Sequence, residues 1–328
     1  MKLRSLALAI GSLVTANAFA GQVISIDPDG NLGAQGAISV GALGWNTGNV
    51  ISLPTAGGVV LPVPTGTIQT YGHSSLANFN DAGGNSITGT GLGSAYEWTY
   101  VFGTREIGIP AGGAFPSADF LTTGGGENFF RVYYSGVDSS MVNGTGFSNG
   151  TLILEGSIRA YDAADGTGVG GFKVTSGATA NLDKNGTNDY PGITSTQGTG
   201  STKLKADVTF YDPNFFLTGL SSIVLVLDTF NSQPFDKTDP SSCFTNKAGA
   251  LIPGAGHNTA AGTECTSAIG SVNGKLLAGA DATKQGVMFQ TRATNDFVAN
   301  RIPEPTSLSL AGLALFGFGM SRRRRGGK

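Results

Sequence analysis

The sequence predicts an all-β protein: an antiparallel β-sandwich or jelly-roll-like domain set between an N-terminal signal peptide and a C-terminal hydrophobic sorting helix. Three observations point there. Glycine supplies 52 of 328 residues, about twice its usual share of roughly 7%. Charged residues are 13%, against a norm of roughly 25%. Apolar residues alternate with polar ones in many short runs. No amphipathic helical pattern longer than about ten residues occurs before Pro303.

The first element is the secretory signal, residues 1–20. Lys2 and Arg4 give it a positive start, Leu6 to Val14 an apolar run, and Ala18-Phe19-Ala20 a small-x-small cleavage site before Gly21. Such a segment engages the Sec translocon. Export also sets the redox context. Cys243 and Cys265 are the only cysteines, and an even count in an oxidising compartment predicts a disulfide between them. The loop it closes gives about 3.4 kcal/mol in the chain-entropy model. Two free thiols are the alternative.

The β-domain spans residues 21–299. "STKLKADVTFYD" places Leu204, Ala206, Val208 and Phe210 on one face and Lys203, Lys205, Asp207, Thr209 and Tyr211 on the other. "YEWTYVFG" aligns Tyr96, Trp98, Tyr100 and Phe102. "NFFRVYYS" aligns Phe130, Val132 and Tyr134 against Arg131. "TLILEGSIRAYD" and "GVMFQTRATNDF" are further strands. "SSIVLVLDTF" is apolar on both faces from Ile223 to Leu227, as a central strand is. Asp-Gly at Asp29 and Asn-Gly at Asn143, Asn149, Asn185 and Asn273 mark turns. The pattern leaves room for short helical turns near Ser75–Asn80 and Asp212–Phe216. Residues 231–285 form a long, weakly patterned loop region with both cysteines. Strand order cannot be read from these patterns.

Several motifs invite a chemical reading. "GFSNG" at Gly146–Gly150 matches G-x-S-x-G, but a nucleophile elbow needs a helix after it and a strand pattern follows. "GTGVGG" at Gly166–Gly171 fails the dinucleotide test for the same reason. Two stretches gather oxygen ligands of the kind Ca²⁺ takes: Asp27–Asn31, and the loop with Asp183, Asn185 and Asp189. Neither has EF-hand spacing, and a pair of Asx-type turns is the plainer account. Beyond this Ca²⁺ no cofactor is implied. Glu97, Glu106, Glu127, Glu155 and Glu264 are the glutamates from which a glycosidase pair would be drawn. His73 and His257 stand isolated. Tyr96, Trp98, Tyr100, Tyr133 and Tyr134 can stack on sugar rings if exposed, although packing the core is the more ordinary role.

The two ends carry most of the positive charge. Without Lys2, Arg4, Arg322–Arg325 and Lys328, 13 basic residues face all 22 acidic ones, so residues 21–305 carry −9. An acidic body does not attract phosphate backbones, which argues against nucleic acid as a partner.

The last element, residues 300–328, is a linker and a three-part tail. Pro303-Glu304-Pro305 is stiff and extended. Residues 306–321 are apolar or small and make a helix of roughly 24 Å at about 1.5 Å per residue. Residues 322–328 open with Arg322, Arg323, Arg324 and Arg325, which stay cytoplasmic by the positive-inside rule. "PEPTSLSLAGLALFGFGMSRRRR" resembles the PEP-CTERM sorting signals of Gram-negative bacteria. The resemblance implies transient anchoring in the inner membrane, processing by an exosortase near Pro303-Glu304-Pro305, and delivery to the cell surface or matrix. The body resembles the flocculation-associated PEP-CTERM proteins in "GTGFSNGTLILEGSI", "LDKNGTNDYPGITSTQGTGSTKLKADVTFYDPNFF" and "GVMFQTRATNDF". That likeness implies cohesion of cells and exopolysaccharide, and it carries over no catalytic residue. The expectation is a secreted, non-catalytic surface protein. A carbohydrate-active matrix enzyme and a purely structural coat protein are its rivals.

Overall fold

The computed structural model describes residues 22–32, 36–56, 59–60, 63–64, 66–110, 117–141, 144–164, 166–181, 194–229, 243–252, 271–272, 275–276 and 285–299. These residues are all-β, without a helix. In chain order the strands are β1 (Ile24–Ile26), β2 (Ile38–Val40), β3 (Ala42–Ala56), β4 (Val59–Val60), β5 (Val63–Pro64), β6 (Gly66–Asn80), β7 (Glu97–Pro110), β8 (Ser117–Thr122) and β9 (Phe129–Ser135). There follow β10 (Thr151–Ile158), β11 (Val169–Asn181), β12 (Thr194–Tyr211), β13 (Leu220–Thr229), β14 (Phe244–Thr245), β15 (Leu251–Ile252), β16 (Ser271–Val272), β17 (Lys275–Leu276) and β18 (Gln285–Ala299).

The long strands form a closed meander. β3 pairs β6, β6 pairs β7, β12 pairs β13, β13 pairs β18, and β18 returns to β3, always antiparallel. Two split strands fill the remaining places. β8 and β9 lie end to end along β7, and β10 and β11 lie end to end along β12. β8 pairs β11 and β9 pairs β10, which completes the circuit. The expected antiparallel sheet is therefore one continuous wall whose opposite sides face each other. Closure leaves the main strands no unpaired edge.

Alternation along this wall sorts the side chains. Trp45, Val50, Phe79, Trp98, Tyr100, Phe102, Phe130, Val132, Leu204, Ile223, Leu225 and Phe297 all belong to one buried interior cluster. Trp98, Tyr100 and Phe102 face inward together, as the sequence pattern requires. Ile223 and Leu225 place β13 against the core, and its two hydrogen-bonded neighbours make it a central strand.

One end of the barrel is plugged. Ile24, Ile26 and Val40 of the β1–β2 hairpin join the interior cluster with Phe215 and Phe216. The Trp98 indole N–H donates to the Pro28 carbonyl at 2.9 Å, and the Leu217 N–H to the Ser25 carbonyl at 3.0 Å. The Asp212–Phe216 stretch does make a helical turn, in which the Phe216 N–H donates to the Asp212 carbonyl at 2.9 Å. The other stretch left open to a turn, Ser75–Asn80, is instead the end of β6, held by pairing to β3 and β7.

One strand face also differs. Phe210 is 44% exposed, whereas Leu204 and Ala206 are buried. Glu155 and Gly156 of β10 stand opposite Phe210 and Val208, so Thr209 is an extra residue in β12. A bulge of this kind flips the alternation beyond it. Tyr211 then packs on the interior cluster, and Phe210 turns out.

Candidate functional site

The outer wall carries two distinct surfaces. On the first, Ile51, Tyr71, Val101, Phe129 and Tyr133 point outward and are covered by Phe147 and Phe244. The His73 ring stacks on Phe147 at 4.1 Å and lies 4.9 Å from Phe244. Burial drives its pKa down to about 3, so the imidazole is neutral. The cover is tied down by acids, of which Glu97 is buried and Glu127 and Glu155 are half-buried. Glu97 accepts the backbone N–H groups of Asp138 and Ser139 at 3.0 and 2.7 Å and the Ser139 hydroxyl at 2.7 Å. Glu127 accepts the Tyr71 hydroxyl at 2.9 Å and the Lys247 N–H at 3.1 Å. Glu155 pairs with Arg131 at 3.2 Å. Three of the glutamates singled out from the sequence thus join strands and cover.

Cys243 belongs to this cover, fully buried and disulfide-bonded. Gly144 runs against it with φ +72°, where an added Cβ would lie 2.0 Å from the Cys243 carbonyl oxygen. Only glycine permits that approach. The sequence motif at Gly146–Gly150 also lies here, as bends leading into β10 with no helix after them. Likewise β11 follows directly on Gly168, within the other glycine motif.

The second surface is open. Gly171 of β11 stands opposite Ser201 of β12, and the absence of bulk at both leaves a groove of 400 Å³. Val169, Lys203 and Val226, in register across β11, β12 and β13, form one side of it. Val169 is 36% exposed, and Ile107, which is in line with it through Leu121, is 43% exposed. Tyr161, 43% exposed, borders the same corner, where its backbone packs on Gly168. Apolar flanks, a hydroxyl and an ammonium suit a hydroxyl-rich polymer with occasional negative charge.

Inside the barrel, the inward face of β7 changes character. Beyond Trp98, Tyr100 and Phe102 come Thr104 and Glu106, both buried. Thr104 stands opposite Thr70, Thr70 opposite Ser52, and Glu106 opposite Ile68 and Thr122. The Ser52 and Thr70 hydroxyls lie 2.8 Å apart. Burial raises the Glu106 carboxyl to about 8, so it is mostly neutral at pH 7.

Tyr96, Trp98, Tyr100 and Tyr133 are buried, and Tyr134 packs partly buried on the interior cluster. These aromatics take the more ordinary role and pack the core rather than offer sugar platforms, because the closed wall turns their faces inward or under the cover. Tyr161, which the sequence patterns did not single out, is the exposed tyrosine among the described residues. Its signal was weak: one aromatic beside a turn. The signal residues Ala18 and Ala20, the sorting residues Pro303, Glu304, Pro305 and Arg322–Arg325, Cys265, Glu264, His257 and the calcium candidates Asp183, Asn185 and Asp189 lie outside the described residues.

No curated protein and no solved structure matches the chain. Its tail is the part that finds a family: residues 301–325 match the PEP-CTERM protein-sorting motif, and the chain is accordingly a PEP-CTERM protein, exported and processed by an exosortase for the cell surface or extracellular space.

Proposed function

We propose that the exported β-barrel promotes flocculation or biofilm cohesion by weak, multivalent contact with exopolysaccharide. It acts without catalysis, in the surface or matrix of a Gram-negative bacterium. The Sec translocon and a transient inner-membrane anchor precede its release. The observation that carries the reading is the sorting motif at residues 301–325, which makes the barrel the part delivered outside. The open groove along Val169, Gly171, Ser201, Lys203 and Val226 supports a polymer contact. Many copies on one surface raise avidity although each groove binds weakly.

The test has two arms. A clean deletion strain is expected to lose floc formation, and re-expression of the intact gene to restore it. Purified protein is expected to sediment with the cell's own exopolymer, and Ser201→Trp, which fills the groove, to weaken that binding at least several-fold. Normal flocculation in the deletion strain rejects the role. Unchanged binding by the filled groove rejects this surface as the contact.

A further inference from the structure

Asp27-Pro28-Asp29-Gly30-Asn31 places three oxygen-bearing side chains at alternate positions in the plug. The backbone there is fixed nearly residue by residue. The Asp27 N–H donates to the Phe215 carbonyl at 2.9 Å, the Pro28 carbonyl accepts the Trp98 indole at 2.9 Å, and the Asn31 N–H donates to Asp29 Oδ1 at 3.0 Å. Gly30 has φ +68° and lies against the Phe215 ring, where an added Cβ would come within 2.6 Å. The loop is thus held to the barrel end in one conformation.

Within it, Asp27 is anomalous. The residue is 0% exposed, and neither carboxylate oxygen has a hydrogen bond of good geometry among the described residues. It forms no ion pair among them. Burial first, then the neighbouring Asp29 carboxyl, raises its pKa, outweighing the backbone N–H groups of Asp29 and Asn31, which lie near it and lower it. The other titratable groups that feel this pair are Tyr96 and Tyr134, neither of them a cation. Asp27 is covered by its immediate neighbours yet lies at the edge of the molecule rather than in its depth. Two carboxyls in contact, one of them buried without a well-formed hydrogen bond, ask for a positive charge that the described protein does not supply. A proton would relieve only one of them, whereas a hard divalent cation engages both and draws further oxygens from the loop and water.

We infer that Asp27 and Asp29 bind Ca²⁺ at the plugged end of the barrel, pinning the β1–β2 hairpin to the Asp212–Phe216 turn. Oxygen donors without sulfur or imidazole select Ca²⁺ over softer metals. The site does not depend on the polysaccharide reading.

Exported protein stripped with EDTA and returned to Ca²⁺ tests it by thermal unfolding. Saturating Ca²⁺ is expected to raise Tm by several degrees. Asp27→Asn should abolish the rise while leaving the stripped protein as stable as the parent or more so. Asp29→Asn, at a half-buried position, should raise the Ca²⁺ concentration at half-effect at least tenfold, and it serves if Asp27→Asn does not fold. Asp183→Ala should respond like the parent. No rise in the parent overturns the site, as does a full rise in Asp27→Asn. A rise lost only in Asp183→Ala moves the ion to the other loop and overturns it too.

Discussion

At the scale of single residues, Glu106 and His73 show how the barrel treats ionisable groups. Glu106 is an acid whose burial raises its pKa from 4.5 to about 8. The folded state then keeps a proton that the unfolded state releases, so stability is intact below pH 4.5 and falls as pH rises toward 8. Glu106→Gln keeps the shape and removes the charge. It should match the parent at pH 4.5 and exceed it at pH 8 by on the order of a few kcal/mol, read by denaturant unfolding at both pH values. Equal stability at pH 8 would place the carboxylate in contact with water. The sequence offered Glu106 as one glutamate among five; nothing in its neighbours distinguished it. Its setting comes from strands far away in the chain.

At the scale of elements, the bulge in β12 separates what periodicity can foresee from what pairing decides. Alternation correctly sends Leu204 and Ala206 inward, because adjacent side chains on a strand must point to opposite faces. It sends Phe210 inward too, and there it fails, because Thr209 is accommodated opposite β10 and resets the phase. The consequence is measurable. Leu204→Ala should cost about 2–5 kcal/mol by leaving a cavity, whereas Phe210→Ser should stay within about 0.5 kcal/mol as an exposed change. Comparable losses in chemical denaturation would put Phe210 back in the core. The same logic explains the split strands. β8 with β9, and β10 with β11, each look like two short strands in sequence, and only their shared partners reveal them as one wall position apiece.

At the scale of the whole molecule, Glu106 and His73 act in opposite senses. His73 is a base whose pKa falls to about 3. Its contribution is intact above pH 6.5 and is lost as pH falls toward 3, since the unfolded chain takes up a proton that the folded one refuses. Between pH 4.5 and 6.5 the two slopes cancel, so their joint effect is a plateau with a fall on either side. A Tm profile of the protein from pH 4 to 8, set against Glu106→Gln, should show the alkaline fall shrink and the plateau between pH 4.5 and 6.5 become a rise with pH, since the His73 slope is no longer cancelled. An unaltered alkaline fall would assign it to other groups. The −9 body and the basic tail also separate at this scale: after processing, the acidic barrel is the part sorted to the cell surface or extracellular space.

By itself, the sequence determined the address and the class. The order of Pro303-Glu304-Pro305, an apolar run and four arginines is local, so residues 301–325 identify the sorting motif without any folding. Glycine-rich turns and alternating runs are local as well, and they were enough for an all-β chain with inward Trp98, Tyr100 and Phe102. Tertiary structure decided the rest, because closure of the wall joins β3 to β18 across most of the chain. That closure buried the tyrosines that had looked fit for sugars. It also opened a groove where Gly171 meets Ser201, and it buried the Asp27 carboxylate without a well-formed hydrogen bond at the plugged end. Each of these depends on which distant strand lies opposite, a quantity that local pattern does not contain.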